Sequence, residues 1–306
     1  MSKRFAALLC AALFVLAGAL AAAEGNWLES VMPGRGGRNA SRSAYVAELA
    51  IYGELTLEDY EYDHYGTLDA IDELTWDRDN IGLILLLDTP GGSVYEMDEL
   101  YHALEVYKEE TGRPVYAYME RECCSAGVFV AMAAEHIAAA RMTLTGSVGV
   151  YMQEDVSVDP DSAFIVSGAN KLNGFGELTG EQREIYQAIV DESFEIFKGA
   201  IAASRGEQVA SDERLLDGRV LTAAQALEIG LIDEVLYYDE ALDVFYELGH
   251  FGNAELVDVT PDPWYGFWND GDGKDEEEEE KEEKTDGRFL PPGESANAWR
   301  GLRSAR

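Results

Sequence analysis

Residues 122–134, with the sequence ECCSAGVFVAMAA, decide the fold of this chain. The stretch opens on small residues around Ser125 and continues as an apolar, alanine-rich run, which predicts a buried helix. The preceding residues 114–119, PVYAYM, predict a strand. A serine between a strand end and a helix start can present its hydroxyl to a substrate, because the unpaired N–H groups of the helix then face any oxyanion formed beside it. The alternative is that Ser125 is only a helix N-cap.

Outward from this stretch, apolar runs alternate between strand and helix patterns. Residues 81–87, IGLILLL, have the continuous apolar pattern of a strand buried on both faces. Residues 44–57 predict a strand ending at Gly53, and residues 67–76 predict a helix. A second helix follows residue 93, with one apolar face made of Met97, Leu100, Leu104 and Tyr107. The alternation predicts an α/β domain with a largely parallel sheet.

Two turns rich in small residues are candidate ligand contacts. Residues 90–93, PGGS, follow a predicted buried strand, where backbone N–H groups could approach a ligand closely. The alternative is a tight turn in which Ser93 caps the next helix. Phosphate-binding patterns of the G-x-x-x-x-G-K-[ST] or G-x-G-x-x-G type are absent from the sequence. Residues 144–150, LTGSVGV, predict a turn leading into a strand, with Ser147 as a turn residue.

Composition narrows the class of protein. The 306 residues are 47% hydrophobic, enough for the core of one large domain or two small ones. The formal net charge of −36 argues against binding of nucleic acid or of an anionic membrane surface. The three cysteines, Cys10, Cys123 and Cys124, fit neither a disulfide framework nor metal-ligand spacing. The sequence therefore predicts no metal and no cofactor.

The N-terminus predicts an exported protein. Lys3 and Arg4 precede the apolar residues 5–23, which end in an A-x-A cleavage pattern. The run is also long enough to anchor the chain in a bilayer if it stays uncleaved. In either case the body is expected outside the cytoplasm, secreted or periplasmic after cleavage. Four segments result: a signal peptide or membrane anchor 1–23, a flexible linker 24–43, a globular body 44–260, and an acidic, disordered tail 261–306.

Five motifs occur in the order found in the signal peptide peptidase A family. They are TPGGS (89–93), SAG (125–127), TLTGSVGV (143–150), SGANKLNG (167–174) and DGRV with AQALEIGLIDE (217–220 and 224–234). The chain resembles this family over about residues 45–235. The sequence departs from the family where Cys123 and Cys124 precede Ser125 and where Ala126 replaces the first glycine of the usual Ser-Gly-Gly.

This resemblance implies a fold, an activity and a set of site residues. The fold would be α/β and crotonase-like (Clp protease-like), a ββα spiral with long C-terminal helices. The activity would be that of a serine endopeptidase which cleaves signal peptides or similar apolar peptides at or near the membrane and assembles as a homo-oligomer. Ser125 would be the nucleophile, Lys171 the base and Ser147 the residue that orients it, and the N–H groups of Gly92 and Ala126 would form the oxyanion hole.

Residue chemistry supports a lysine base. A serine hydroxyl needs a neighbouring base, and a lysine can be that base only if burial away from carboxylates keeps it neutral. Lys171 lies in GANKLNG, which has no other charged residue, although a solvated loop lysine is the alternative. The histidines are interpreted as surface or interface residues: His102 in a helix, His136 at the end of the serine helix, and His64 and His250 in loop-like contexts.

The C-terminal half predicts three helices, and two other functions stay open. The helices cover residues 181–204 after Thr179, residues 221–229 with Thr222 as the cap, and residues 237–248. One alternative function is a crotonase-like protein that binds acyl thioesters. The other is a catalytically silent assembly or binding protein, suggested by the altered Ser-Ala-Gly sequence.

Overall fold

Strands and helices alternate along the chain in the predicted order. A computed structural model describes residues 43–152 and 179–263. The leader, most of the linker, the acidic tail from residue 264 and the segment that carries Lys171 lie outside the described residues. The division of the chain into four segments stays a prediction.

The first half contains three long parallel strands and two helices. Its elements are β1 (Tyr45–Tyr52), α1 (His64–Trp76), β2 (Asn80–Thr89), α2 (Val94–Thr111) and β3 (Val115–Cys124). Helix α2 begins where the Ser93 hydroxyl accepts the Tyr95 N–H, and it ends at Gly112, whose left-handed backbone continues the chain towards β3. All four residues of its predicted apolar face are buried.

The rest of the chain adds short strands and six further helices in the described part. After β3 come α3 (Ala126–Ala131), β4 (His136–Ala139) and β5 (Leu144–Gly146). The second described range contains α4 (Gly180–Arg205), α5 (Glu207–Ala210), α6 (Glu213–Leu216), β6 (Val220–Thr222), α7 (Ala223–Ile229), β7 (Glu234–Val235), α8 (Tyr238–Leu248) and β8 (Glu255–Asp258). Capping boxes at Thr179 and Thr222 start α4 and α7 as the sequence predicts.

Several local predictions are wrong because strand pairing overrides helix propensity. The predicted buried helix begins after Ser125 but ends at Ala131 instead of continuing to residue 134, and β3 extends beyond the predicted 114–119 because Cys123 and Cys124 pair with β5. His136 begins β4, which pairs with β3, instead of ending the serine helix. In residues 144–150 the strand comes before the turn, and Leu221 lies in β6 instead of in a helix.

The strands form one sheet that forks at β3. Its order is β6-β5-β3-β2-β1-β8, and β4 pairs with both β3 and β7. Every pairing is parallel except that of β5 with β6. One edge of β3 contacts β2, and its other edge contacts β4 at residues 116–119 and then β5 at residues 122–124. The α/β fold class and the largely parallel sheet are therefore confirmed.

The two faces of the sheet are covered by different helices. Leu83, Leu85 and Leu87 of β2 face a core that includes buried residues of α1, α2, α3 and α4. Ile84 and Leu86 face the other side, where Phe245 of α8 lies with its ring 5.2 Å from that of Tyr116. Within residues 43–152 and 179–263, none of the helices combines the length and the apolar character needed to cross a bilayer.

Candidate active site

Ser125 has an unusual backbone at the junction of β3 and α3. Its φ and ψ are 50° and −117°, a region that non-glycine residues rarely occupy. It stands at the N-cap position of α3, but its side chain makes no capping hydrogen bond. The interpretation of Ser125 as a simple helix cap is therefore wrong. The residue is half-buried and directly precedes the first turn of α3.

Strand register brings Ser147 next to Ser125. Cys124 pairs with Gly146 in the parallel β3–β5 ladder, and the Ser125 N–H donates to the Gly146 carbonyl over 2.8 Å. The next residues along both strands are the two serines, and neighbouring strands lie about 4.8 Å apart. Ser147 also has a positive φ, 53°, and its N–H donates to the Arg219 carbonyl over 2.8 Å. The structure therefore brings these two predicted site residues together.

The loop after β2 packs directly against Ser125. Thr89 pairs with Cys123, which puts residues 90–93 beside the end of β3. Gly91 has a φ of 121°, and a Cβ on it would lie 2.8 Å from the Ser125 Cβ and 3.3 Å from the Ala126 nitrogen. Gly91 was not among the predicted site residues. The sequence signal for Gly91 is the pair of glycines after Pro90, because one glycine can form the turn while the other allows a close approach to a neighbouring segment.

Only one side of the loop formed by residues 90–93 is hydrogen-bonded to Leu55. The Leu55 N–H donates to the Gly91 carbonyl over 2.8 Å, and the Ser93 N–H donates to the Leu55 carbonyl over 3.0 Å. Because N–H groups alternate along an extended chain, the Gly92 N–H points away from Leu55. Within the described ranges it donates to no protein acceptor. A Cβ at Gly92 would lie 2.3 Å from the Leu55 carbonyl oxygen, so this close pairing requires glycine.

Helix α3 supplies a second unpaired N–H. Ala126 is its first residue, so this N–H has no partner inside the helix, and it has none in the rest of the described chain. Ala126 is fully buried without any clash, so the alanine fits where the resembled family has glycine. Gly127 is the position that needs glycine, because a Cβ there would lie 2.6 Å from the Thr89 Cγ2.

The two cysteines beside Ser125 are unsuited to nucleophilic chemistry. Both are free and buried. Burial raises the pKa of the Cys123 thiol well above its usual value. Burial, together with the charge and hydrogen bond of Glu122, raises the pKa of Cys124 to about 12. Since the thiolate is the reactive form, both side chains are inert at neutral pH.

The predicted base is not among the described residues. Lys171 lies outside them, so its role stays a prediction. In residues 43–152 and 179–263, no histidine hydrogen-bonds to Ser125. His102 is exposed on α2, His136 opens β4 and His250 follows α8. The prediction for His64 is wrong: it is the first residue of α1 and only 3% exposed.

Known proteins resemble this chain in sequence and in fold. Residues 107–250 match the model of Peptidase family S49. A protein assigned as a protease in Synechocystis is 35% identical over 50% of this chain and 57% of its own length. A protein assigned as the signal peptide peptidase SppA in Enterococcus faecium is 25% identical over 76% of this chain and 70% of its own. The solved structure of ClpP1 from Listeria monocytogenes aligns with a TM-score of 0.42 and 16% identity, over 64% of this chain and 94% of that one.

Proposed function

We propose that the chain is a serine endopeptidase of the S49 type whose nucleophile is Ser125, because residues 107–250 match the model of Peptidase family S49. The observation that carries the proposal is the Ser125 backbone, which keeps a rarely populated conformation although the side chain caps nothing. Residues held in such conformations by their surroundings are typical of functional sites. The neighbouring cysteines are protonated at neutral pH, so the serine is the nucleophile that this turn offers.

Lys171 is the proposed base. Its position in the S-G-x-x-K-x-x-G segment supports this role, as does the lack of other charged residues around it in the sequence. A lysine that is neutral at working pH can accept the Ser125 proton. Ser147 is the proposed orienting residue, because the β3–β5 register sets it beside Ser125.

The N–H groups of Gly92 and Ala126 are the proposed oxyanion donors. Residues 90–93, called the oxyanion loop below, abut Ser125 through Gly91, and the Gly92 N–H lies on the loop edge that Leu55 does not use. Fixed donors aimed at a developing negative charge are worth about 10²–10³ in kcat each. With only six residues in α3, the direct hydrogen bond from Ala126 matters more than the helix dipole.

These groups suffice for acyl transfer. The Ser125 Oγ bonds to the peptide carbonyl carbon while its proton passes to Lys171, and the carbonyl oxygen becomes an oxyanion held by the two N–H groups. When the C–N bond breaks, the leaving amine takes that proton. Water then hydrolyses the acyl-enzyme along the same proton path and frees Ser125.

The proposed substrates are signal peptides and similar apolar peptides. The assignment of the Enterococcus relative as a signal peptide peptidase supports this class. Exposed apolar side chains follow Leu55 and the oxyanion loop, namely Leu57, Tyr60, Val94 and Tyr95, and they could contact such a peptide. Membrane association would use residues 5–23 if they remain uncleaved, with the catalytic body outside the cytoplasm.

A homo-oligomer is also proposed. The buried residues of α4 are Phe197, Ala200 and Ile201, all in its C-terminal third. Upstream, Ile185, Ile189 and Ile196 lie on one face and are 42%, 45% and 54% exposed. A second copy packed against this face would cover it.

The deciding experiment combines a fluorophosphonate probe with cleavage of apolar peptides. The wild type should be labelled and active, whereas Ser125→Ala should lose both and stay folded, with a fall in kcat of several orders of magnitude. Lys171→Arg should be inactive at every pH, because arginine stays protonated. Ser211→Ala removes an exposed hydroxyl on another element and should change nothing. Labelling that persists in Ser125→Ala would overturn the proposal.

A further inference from the structure

A buried polar chain lies beside the oxyanion loop and has no part in the chemistry proposed above. The Tyr62 hydroxyl lies 2.9 Å from the Nδ1 of His64, and the His64 Nε2 lies 3.0 Å from a Glu99 carboxylate oxygen. Hydrogen bonding from His64, assisted by Tyr95, lowers the pKa of Glu99. Because an ionised carboxylate only accepts hydrogen bonds, Nε2 donates to Glu99, and in a neutral ring Nδ1 then accepts from Tyr62.

The surroundings keep the Tyr62 hydroxyl protonated and therefore able to donate. Burial, followed by the nearby charge of Glu96, raises the pKa of Tyr62 far above its usual value. Glu96 itself is only 7% exposed, and its Oε2 has no hydrogen-bond partner among the described residues. Buried polar groups cost free energy unless they are paired. The pairing of Tyr62 with His64 and of His64 with Glu99 meets this need and ties the start of α1 to α2.

The same chain segment also holds the oxyanion loop. Residues 53–63 connect β1 to α1, and Leu55 within them exchanges two backbone hydrogen bonds with Gly91 and Ser93. The glycine at position 92 has no space to move towards Leu55. The place of Leu55 therefore fixes the place of the Gly92 peptide.

The hydrogen bonds of Leu55 to the oxyanion loop and of His64 to Glu99 complete a closed ring of contacts. From Leu55 the ring runs through the oxyanion loop to Ser93, the N-cap of α2, and along α2 to Glu99. It returns through His64 and Tyr62 to Leu55. A segment tied at one end to the loop and at the other to the helix that follows it cannot slide relative to either.

We propose that His64 is a positioning residue for the oxyanion loop: through Tyr62 and Glu99 it holds residues 55–64 against α2 and so keeps the Gly92 N–H in place beside Ser125. The inference rests on the proposed function, in which Gly92 is an oxyanion donor. A displacement of a catalytic group by about 1 Å can cost about 100-fold in rate, so a partial loosening should cost about tenfold.

The test compares His64→Gln and Tyr62→Phe with His102→Gln. Glutamine can still donate to Glu99 but leaves the Tyr62 hydroxyl without its acceptor, and phenylalanine removes that hydroxyl without disturbing the start of α1. His102 is an exposed histidine on α2, which makes its variant a matched control. We expect kcat for an apolar peptide to fall about tenfold in both test variants, with KM changed less than twofold, and the control to match wild type.

A thionoester measurement separates positioning from general destabilisation. Oxyanion donors placed for oxygen fit the larger sulfur of a C=S group poorly, so an ester should react faster than its thiono analogue. If the donors are loosened, kcat/KM for the ester divided by kcat/KM for the thionoester should fall. Unchanged kcat and an unchanged ratio in Tyr62→Phe, with a wild type that reacts with fluorophosphonate, would overturn the inference and leave the proposed function standing. A wild type that cleaves no peptide and reacts with no fluorophosphonate would overturn the proposed function, and the inference with it.

Discussion

At the scale of single residues, the candidate site depends on backbone conformations that are held from outside. Ser125 and Ser147 both have positive φ, and such conformations cost about 1–3 kcal/mol each for non-glycine residues. Each is fixed by one backbone hydrogen bond of 2.8 Å, to the carbonyls of Gly146 and Arg219. Gly146 at the end of β5 and Arg219 just before β6 therefore hold Ser125 and Ser147 in place before any substrate binds.

Cys124 should be dispensable for activity. Burial and Glu122 raise the pKa of Cys124 to about 12, so the protonated thiol persists well above neutral pH. We expect Cys124→Ser to keep kcat/KM within about threefold. Iodoacetamide at pH 8 should leave the wild type active. Alkylation of Cys124, monitored by mass spectrometry, should accelerate only towards pH 12. Rapid inactivation at pH 8 that disappears in Cys124→Ser would contradict this.

At the scale of elements, long apolar patterns were predictable and short strands were not. Strand β2 and helix α2 follow directly from a seven-residue apolar run and a four-residue apolar face. Strands β4 to β8 have two to four residues, too few for a period to show. Strand β8 exists because it pairs with β1, about 210 residues earlier, and no local pattern contains that partner.

Two errors at the site have the same origin. The alanine-rich residues 122–134 favour a helix locally, but pairing of Cys123 and Cys124 with β5 keeps them in the sheet. His64 stands among polar residues in the sequence, and its burial depends on Glu99, 35 residues away. The motifs that contain Ser125 and Ser147 are local in the sequence, whereas the contacts of Gly91 and His64 join distant segments.

The close packing of the oxyanion loop on Ser125 should make Gly91→Ala inactive. The new Cβ would lie 2.8 Å from the Ser125 Cβ, so the loop must shift, and a shift of about 1 Å should lower kcat about 100-fold. Gly112→Ala is the matched control: its φ of 66° imposes backbone strain as well, but no atom lies within 4 Å of the added Cβ.

Both glycine variants should lose about 1–2 kcal/mol of unfolding free energy from strain at positive φ, measured by urea denaturation. Only Gly91→Ala should lose activity beyond its loss of folded protein. Equal activity of the two variants would show that the loop does not need to touch Ser125.

At the scale of the whole molecule, α4 has an exposed apolar face made of Ile185, Ile189 and Ile196. A monomer would leave this face in contact with water. Its isoleucines are about half exposed, and complete burial of such a side chain is worth about 1.5–3 kcal/mol. The protein carries a formal charge of −36, which opposes association through long-range repulsion. Apolar contact at α4 must therefore supply the attraction, and salt that screens the repulsion should strengthen assembly.

The chain without residues 1–43 should accordingly be a homo-oligomer by light scattering, with a mass that rises between 50 mM and 500 mM NaCl. Ile185→Glu with Ile189→Glu removes about 2 kcal/mol of burial per copy of the helix and should weaken association about 30-fold. Leu248→Glu, at the half-exposed end of α8, is the control and should assemble normally. Since the Ser125 turn contains no residue of α4, the double variant should still react with fluorophosphonate, and a strictly monomeric wild type with full peptidase activity would refute the assembly.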